Sequence, residues 1–157
     1  MSASDQYIRV TKQFSFEMAH ALMGYDGPCK NIHGHTYQLR VTLLGKAIQK
    51  AGEPKDGMMI DFGNLKKLVC DYVIAKYDHA LLLNENTPRE LVESMHQHFE
   101  NILLTSFQPT CENLLLEIKE QLSYILQSTN YSLCALRLNE TQTSYAEWFL
   151  SDNIKIN

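Results

Sequence analysis

Two segments of this 157-residue chain, 7–20 and 36–45, alternate apolar with polar side chains at period two and are rich in β-branched and aromatic residues. Successive strand side chains point to opposite faces, so this alternation commits each segment to an extended conformation with one face buried. The stretch between them, 22–30, carries Gly24, Gly27 and Pro28, which interrupt regular structure. The pair therefore reads as an antiparallel hairpin with a long loop. Setting His20 opposite His35 places Met18 against Tyr37, Phe16 against Leu39 and Phe14 against Val41 on one apolar face. Gln13, Ser15, Glu17, Gln38, Arg40 and Thr42 then share the polar face. A slip of two residues preserves both faces and a slip of one exchanges them, so the buried face is fixed more firmly than the pairing.

Beyond the hairpin, Pro54 and Asp56-Gly57 mark a loop over 53–58. Asp61 can cap a helix over 62–76 whose Leu65, Leu68, Val69 and Tyr72 share a face. Thr87-Pro88-Arg89-Glu90 has the form of a capping box, with Thr87 as N-cap, and predicts a helix to about residue 99. Thr110 starts another helix, to about 126, with Leu114, Leu115, Ile118, Leu122 and Ile125 inward. Strand character returns over 131–138 and 144–150. Two strands, helices and two more strands imply an α+β fold, a four-stranded antiparallel sheet with helices on one face. No repeat or linker divides the chain, so 1–157 reads as a single domain.

Such a length can bury a core without a stapling ion, so any bound metal is expected to be functional. Fourteen Lys and Arg against 18 Asp and Glu give a net charge of −4 without a run of five like charges, which disfavours general nucleic-acid or anionic-membrane binding. A small anionic substrate remains compatible, because a few local cations can set the field in a pocket. Cys29, Cys70, Cys111 and Cys134 form no CxxC pair and read as reduced thiols. Residues 1–10 lack the apolar core of a signal peptide and no apolar run reaches the roughly 18 residues of a membrane span. A cytoplasmic protein is expected.

His33-Gly34-His35 opens the second strand and projects both imidazoles to one face, which His20 joins from the end of the first. Three converging histidines suit a catalytic zinc site with an open fourth position, although imidazole also suits other first-row ions. Cys29, four residues before His33, is either a small packing group or a thiol activated by a nearby cation. Asp78-His79 could orient or shuttle a proton, or be a surface pair. Glu140 could accept two N–H groups of a heterocycle or be a solvated strand-end carboxylate. Glu112 fits the first turn of a helix for electrostatic reasons alone. His96 and His98 carry no assigned function, and Cys70 and Cys134 read as packing residues.

With these residues in view, the chain resembles the 6-pyruvoyltetrahydropterin synthase family. The resemblance lies in His20, in Cys29-Lys30-Asn31-Ile32-His33-Gly34-His35, in Met59-Ile60-Asp61-Phe62-Gly63, in Asp78-His79, in Pro109-Thr110-Cys111-Glu112-Asn113 and in Glu140-Thr141-Gln142. The C-x₃-H-G-H spacing resembles the branch that forms 6-carboxytetrahydropterin for queuosine synthesis. The resemblance implies a T-fold whose sheets join between subunits into a barrel, as a homohexamer of two trimers with sites at subunit interfaces. It implies Zn²⁺ on His20, His33 and His35, and catalysis by Cys29, Asp78 and His79. It implies a pterin held by Glu140 with Thr110 and Glu112 nearby. The implied substrate is 7,8-dihydroneopterin triphosphate, converted to 6-carboxytetrahydropterin, acetaldehyde and triphosphate by a lyase. The sister reaction stopping at 6-pyruvoyltetrahydropterin and a non-catalytic zinc- or pterin-binding module are the alternatives.

Overall fold

The computed structural model describes residues 6–154. The remaining residues, which belong to the single-domain reading of 1–157 and to the polar N-terminal stretch, lie outside the described residues. Strands β1 (Tyr7–His20) and β2 (His33–Lys46) form the expected antiparallel hairpin. Its register differs from the expected one by two residues: His20 pairs with His33, Met18 with His35, Phe16 with Tyr37 and Phe14 with Leu39. The shift is even, so Phe14, Phe16, Met18, His20, Tyr37, Leu39 and Val41 all remain on the buried face. Strand β2 begins at His33, the residue that pairs with His20, so both strands end together at the 21–32 loop. On the polar face Thr11 and Thr42 hydroxyls meet at 2.9 Å and Gln13 donates to Gln38 at 3.1 Å.

Among the described residues the sheet has six strands rather than four, in the order β4-β3-β1-β2-β5-β6. Strand β3 (Ala80–Asn84) lies parallel to β1, and β4 (Ile102–Thr105) lies parallel to β3. Strand β3 is a short apolar run rather than an alternating one because both its faces are largely covered, and parallel neighbours need the helical crossovers found before and after it. Strand β5 (Ser132–Asn139) pairs antiparallel with β2, and β6 (Tyr145–Phe149) pairs antiparallel with β5 at the other edge.

Helix α1 (Phe62–Val69) starts where Asp61 accepts a hydrogen bond from the Gly63 amide at 2.6 Å. It continues through a π turn at Cys70–Ile74 into the short α2 (Ala75–Tyr77). The buried residues Leu65, Val69, Val73 and Tyr77 recur every fourth position. Steps of four overshoot a regular α-helical turn by about 40° each, and the wider π turn takes up the accumulated rotation. Tyr72, expected inward, is instead 57% exposed.

Helix α3 (Arg89–His96) begins after Pro88, with no side-chain cap. Thr87, expected to cap it, is buried, and its hydroxyl oxygen has no partner. Helix α4 (Cys111–Leu126) does carry its expected cap, Thr110 accepting from Asn113 N at 3.3 Å. It buries Leu114, Leu115, Ile118 and Leu122 against the sheet, each contributing about 1.5–3 kcal/mol of hydrophobic stabilisation. A last turn, α5 (Leu150–Asn153), follows β6. Among the described residues no helix is long and apolar enough to cross a membrane.

Candidate metal centre

The hairpin alone brings the three histidines together. Ring centroids are 4.5 Å apart for His20 and His33, 5.3 Å for His20 and His35, and 5.0 Å for His33 and His35. Each residue offers one ligand atom, and these atoms lie within 4.8 Å of one another. The β4–α4 connection sets the tautomer of His20, whose Nδ1–H donates to the Pro109 carbonyl at 2.6 Å. Likewise His33 Nδ1–H donates to Asn31 O at 2.8 Å. Each carbonyl can only accept, so the Nε2 of both rings presents a lone pair.

Two of the Nε2 atoms, on His20 and His35, are buried without a hydrogen-bond partner. An unmet buried polar atom is costly, and two beside each other need a shared explanation. Burial also holds His20 below the ordinary imidazole pKa, an effect the Pro109 bond only partly offsets, so the ring favours the neutral form that ligates metal. This donor set fits Zn²⁺, which takes three imidazole nitrogens and keeps a fourth position for water or substrate.

Glu140, in the turn after β5, places Oε1 3.6 Å from His20 Nε2 and 3.9 Å from His35 Nε2. These separations exceed a hydrogen bond, and the carboxylate is instead held by the Tyr37 hydroxyl, which donates to Oε1 at 3.3 Å. Tyr37 is wholly buried and stacked on Phe16 at 5.3 Å. Its burial and then the Glu140 charge push its pKa up, keeping it a protonated donor. Sequence reasoning placed Tyr37 in the apolar face without a role, yet a buried tyrosine hydroxyl requires a partner, and that requirement was the available signal. The Pro109 carbonyl had no such signal, since main-chain acceptors are not encoded by residue type.

Cys29 sits half-buried in a 3₁₀ turn, Pro28–Lys30, and its carbonyl accepts from Leu22 N at 3.0 Å. Cys111, by contrast, is buried, donates to Leu138 O at 3.4 Å and is pushed up to about 12, a protonated packing group.

Asp78 and His79 lie at the start of β3. Glu17 N donates to Asp78 Oδ1 at 2.9 Å, and His79 N donates to Glu17 O at 2.6 Å. The Glu17 amide, more than any other group, holds the Asp78 carboxyl below its ordinary value. His79 adopts a left-handed backbone with φ of 59°, and its Nδ1 is 3.2 Å from Asp78 Oδ2. The two side chains thus face each other, while the hydrogen bonds with Glu17 tie the pair to β1 and one from Asn101 Nδ2 reaches the Asp78 carbonyl at 3.3 Å. His79 is exposed and, with Glu17, His35, Thr36, His98 and Phe99, lines an open cleft of about 840 Å³. Thr110 caps α4 immediately after Pro109, whereas Glu112 is exposed on the first turn of that helix.

Sheet order, helical layer and histidine cluster together define an α+β protein of the T-fold class with a site suited to a metal ion. Solved structures agree: an uncharacterised protein from Wolinella succinogenes superposes with a TM-score of 0.72 at 18% identity, covering 93% of this chain and 99% of that one. The 6-pyruvoyl tetrahydropterin synthase of Caenorhabditis elegans superposes at 0.64 with 24% identity, covering 92% and 96%. The family model described as 6-pyruvoyl tetrahydropterin synthase matches residues 9–149, and the chain belongs to this family. A relative from Haemophilus influenzae, named 6-carboxy-5,6,7,8-tetrahydropterin synthase, is 35% identical over 142 residues, covering 89% of this chain and 97% of its own. One of the same name from Rickettsia typhi is 28% identical, covering 89% and 99%.

Proposed function

We propose that this chain is a zinc-dependent 6-carboxy-5,6,7,8-tetrahydropterin synthase acting on 7,8-dihydroneopterin triphosphate in the cytoplasm, on the route to queuosine. The observation that carries the reading is the convergence of His20, His33 and His35 within 4.8 Å, with Glu140 fixed beside them by Tyr37. The names of the relatives and the Cys29 spacing favour the carboxy product over the pyruvoyl one.

In this reading His20, His33 and His35 hold the ion. Bound zinc supplies Lewis acidity that makes C–H protons beside the substrate's side-chain oxygens removable near neutral pH. Glu140 accepts N–H groups of the pterin and fixes its orientation, while Thr110 and Glu112 flank the ring. Cys29 as thiolate takes a side-chain proton, and His79, oriented by Asp78, returns protons as the side chain rearranges and triphosphate leaves. Cleavage with uptake of one water leaves the carboxylate on the pterin and releases acetaldehyde, a lyase reaction. The Asp78–His79 pair bonds to β1 rather than to the cluster. The reading includes a homohexamer of two trimers with sites between copies.

Incubating the zinc-loaded protein with 7,8-dihydroneopterin triphosphate, with mass spectrometry of the pterin and an acetaldehyde assay, tests the reading. Carboxytetrahydropterin with acetaldehyde is expected. Pyruvoyltetrahydropterin without acetaldehyde would assign the sister activity, and unchanged substrate would reduce the protein to a binding module.

A further inference from the structure

Gln108 occupies an unusual place between the two halves of the site. Its side-chain amide engages the Met23 backbone on both sides: Met23 N donates to Oε1 at 3.1 Å, and Nε2 donates back to Met23 O. Met23 adjoins Leu22, whose amide closes the loop onto the Cys29 carbonyl at 3.0 Å. The next residue, Pro109, supplies the carbonyl that holds His20 Nδ1 at 2.6 Å. The carbonyl of Gln108 is itself held by Asn113 Nδ2 at 2.9 Å, on the first turns of α4. One dipeptide, anchored to a buried helix, therefore fixes both the thiol-bearing loop and an imidazole of the cluster.

We infer that Gln108 is a positioning residue that sets where the Cys29 thiol stands relative to the three imidazoles. The glutamine amide suits the task because it presents one acceptor and donors in a plane, matching the N–H and C=O of one backbone residue, which no carboxylate can do. Without it, the loop between β1 and β2 keeps its Leu22–Cys29 closure but loses its tie to the β4–α4 connection. His20 retains its own bond to Pro109 O, so ion binding and thiol placement separate. The assignment rests on Cys29 being the reactive thiol proposed above.

The test compares wild type with Gln108→Ala and Gln108→Glu. The glutamate is close to isosteric, still accepts from Met23 N, and sets a carboxylate oxygen against Met23 O. Three quantities are read: zinc per chain, turnover of 7,8-dihydroneopterin triphosphate, and the rate at which iodoacetamide labels Cys29, resolved by peptide mass spectrometry with Cys70 as internal reference. Both variants are expected to hold wild-type zinc and to change the Cys29 labelling rate at least about threefold with Cys70 unchanged; Gln108→Ala, which loses both bonds, should lose about tenfold in kcat, and Gln108→Glu, which keeps the bond from Met23 N, about threefold. Unaltered kcat and Cys29 labelling in folded, zinc-replete variants would overturn the assignment, as would loss of zinc in step with activity. Should Gln108→Ala not fold, Gln108→Glu carries the test alone. Absence of turnover in the wild type would sink the functional reading, while the labelling rates would still judge the tether.

Discussion

Replacing Thr87 with valine should stabilise the protein. Thr87 is 7% exposed, and its hydroxyl oxygen is buried without a hydrogen-bond partner. Leaving a buried hydroxyl unmet costs about 1–3 kcal/mol, and valine has nearly the same shape with a methyl in its place. The surroundings include Leu22, Leu83, Leu91 and Met95, which line the same small cavity of about 360 Å³ and suit a methyl group. The substitution should therefore add about 1–2 kcal/mol, or about 2–4 °C in Tm per kcal/mol for a chain of this size. A capping role for Thr87 predicts the opposite sign, a loss of about 0.5–2 kcal/mol. Urea unfolding of wild type and Thr87→Val at equal metal loading decides between them. A lower midpoint for the variant would show that the hydroxyl does have a partner and that the unmet-group argument is wrong.

Other outcomes follow from the site. His33→Ala should lose both zinc and turnover, whereas Cys29→Ala should keep zinc and lose turnover; metal analysis beside the pterin assay checks this, and normal turnover in Cys29→Ala would remove the thiol from the chemistry. Tyr37→Phe removes the donor to Glu140, a 3.3 Å bond at the weak end of the range worth about 1 kcal/mol, so Tm should fall about 2–4 °C and KM should rise about fivefold as the carboxylate loses its fixed orientation. An unchanged KM would show that water replaces the hydroxyl. His20 has a lowered pKa in the fold, so the unfolded chain takes up its proton first, near pH 6.5, and the metal-free protein should lose stability as pH falls below that value. Urea midpoints of chelator-treated protein at pH 7.5 and 5.5 measure the loss, which His20→Gln should diminish.

The hairpin and its histidines were legible in the sequence because period-two alternation admits only even register errors, and the error made was of that kind: His20 meets His33 rather than His35. The two parallel strands were not legible. A run such as Ala80–Asn84 is apolar at nearly every position, which gives no alternation to read, and Ile102–Thr105 is shorter still. Thr87 misled for a related reason. A capping signature states which groups could bond locally, but Thr87 is buried where it, Leu91 and Met95 share a cavity with the β1–β2 loop, an arrangement local spacing does not contain. Glu140 and the Asp78–His79 pair were each ambiguous alone. Glu140 is set beside the cluster by the bond from Tyr37, 103 residues away along the chain, a contact that local sequence does not contain.

All three imidazoles belong to a single hairpin, whereas the carbonyl that orients His20 lies 89 residues downstream of it. Loop closure favours the short connection, so during folding the imidazoles meet as soon as β1 and β2 zip together. Enclosure of His20, the buried one of the three, also needs the Pro109 carbonyl and so the distant β4–α4 connection, while His33 and His35 stay partly open. Contact order therefore favours nitrogen donors first and enclosure of His20 afterwards.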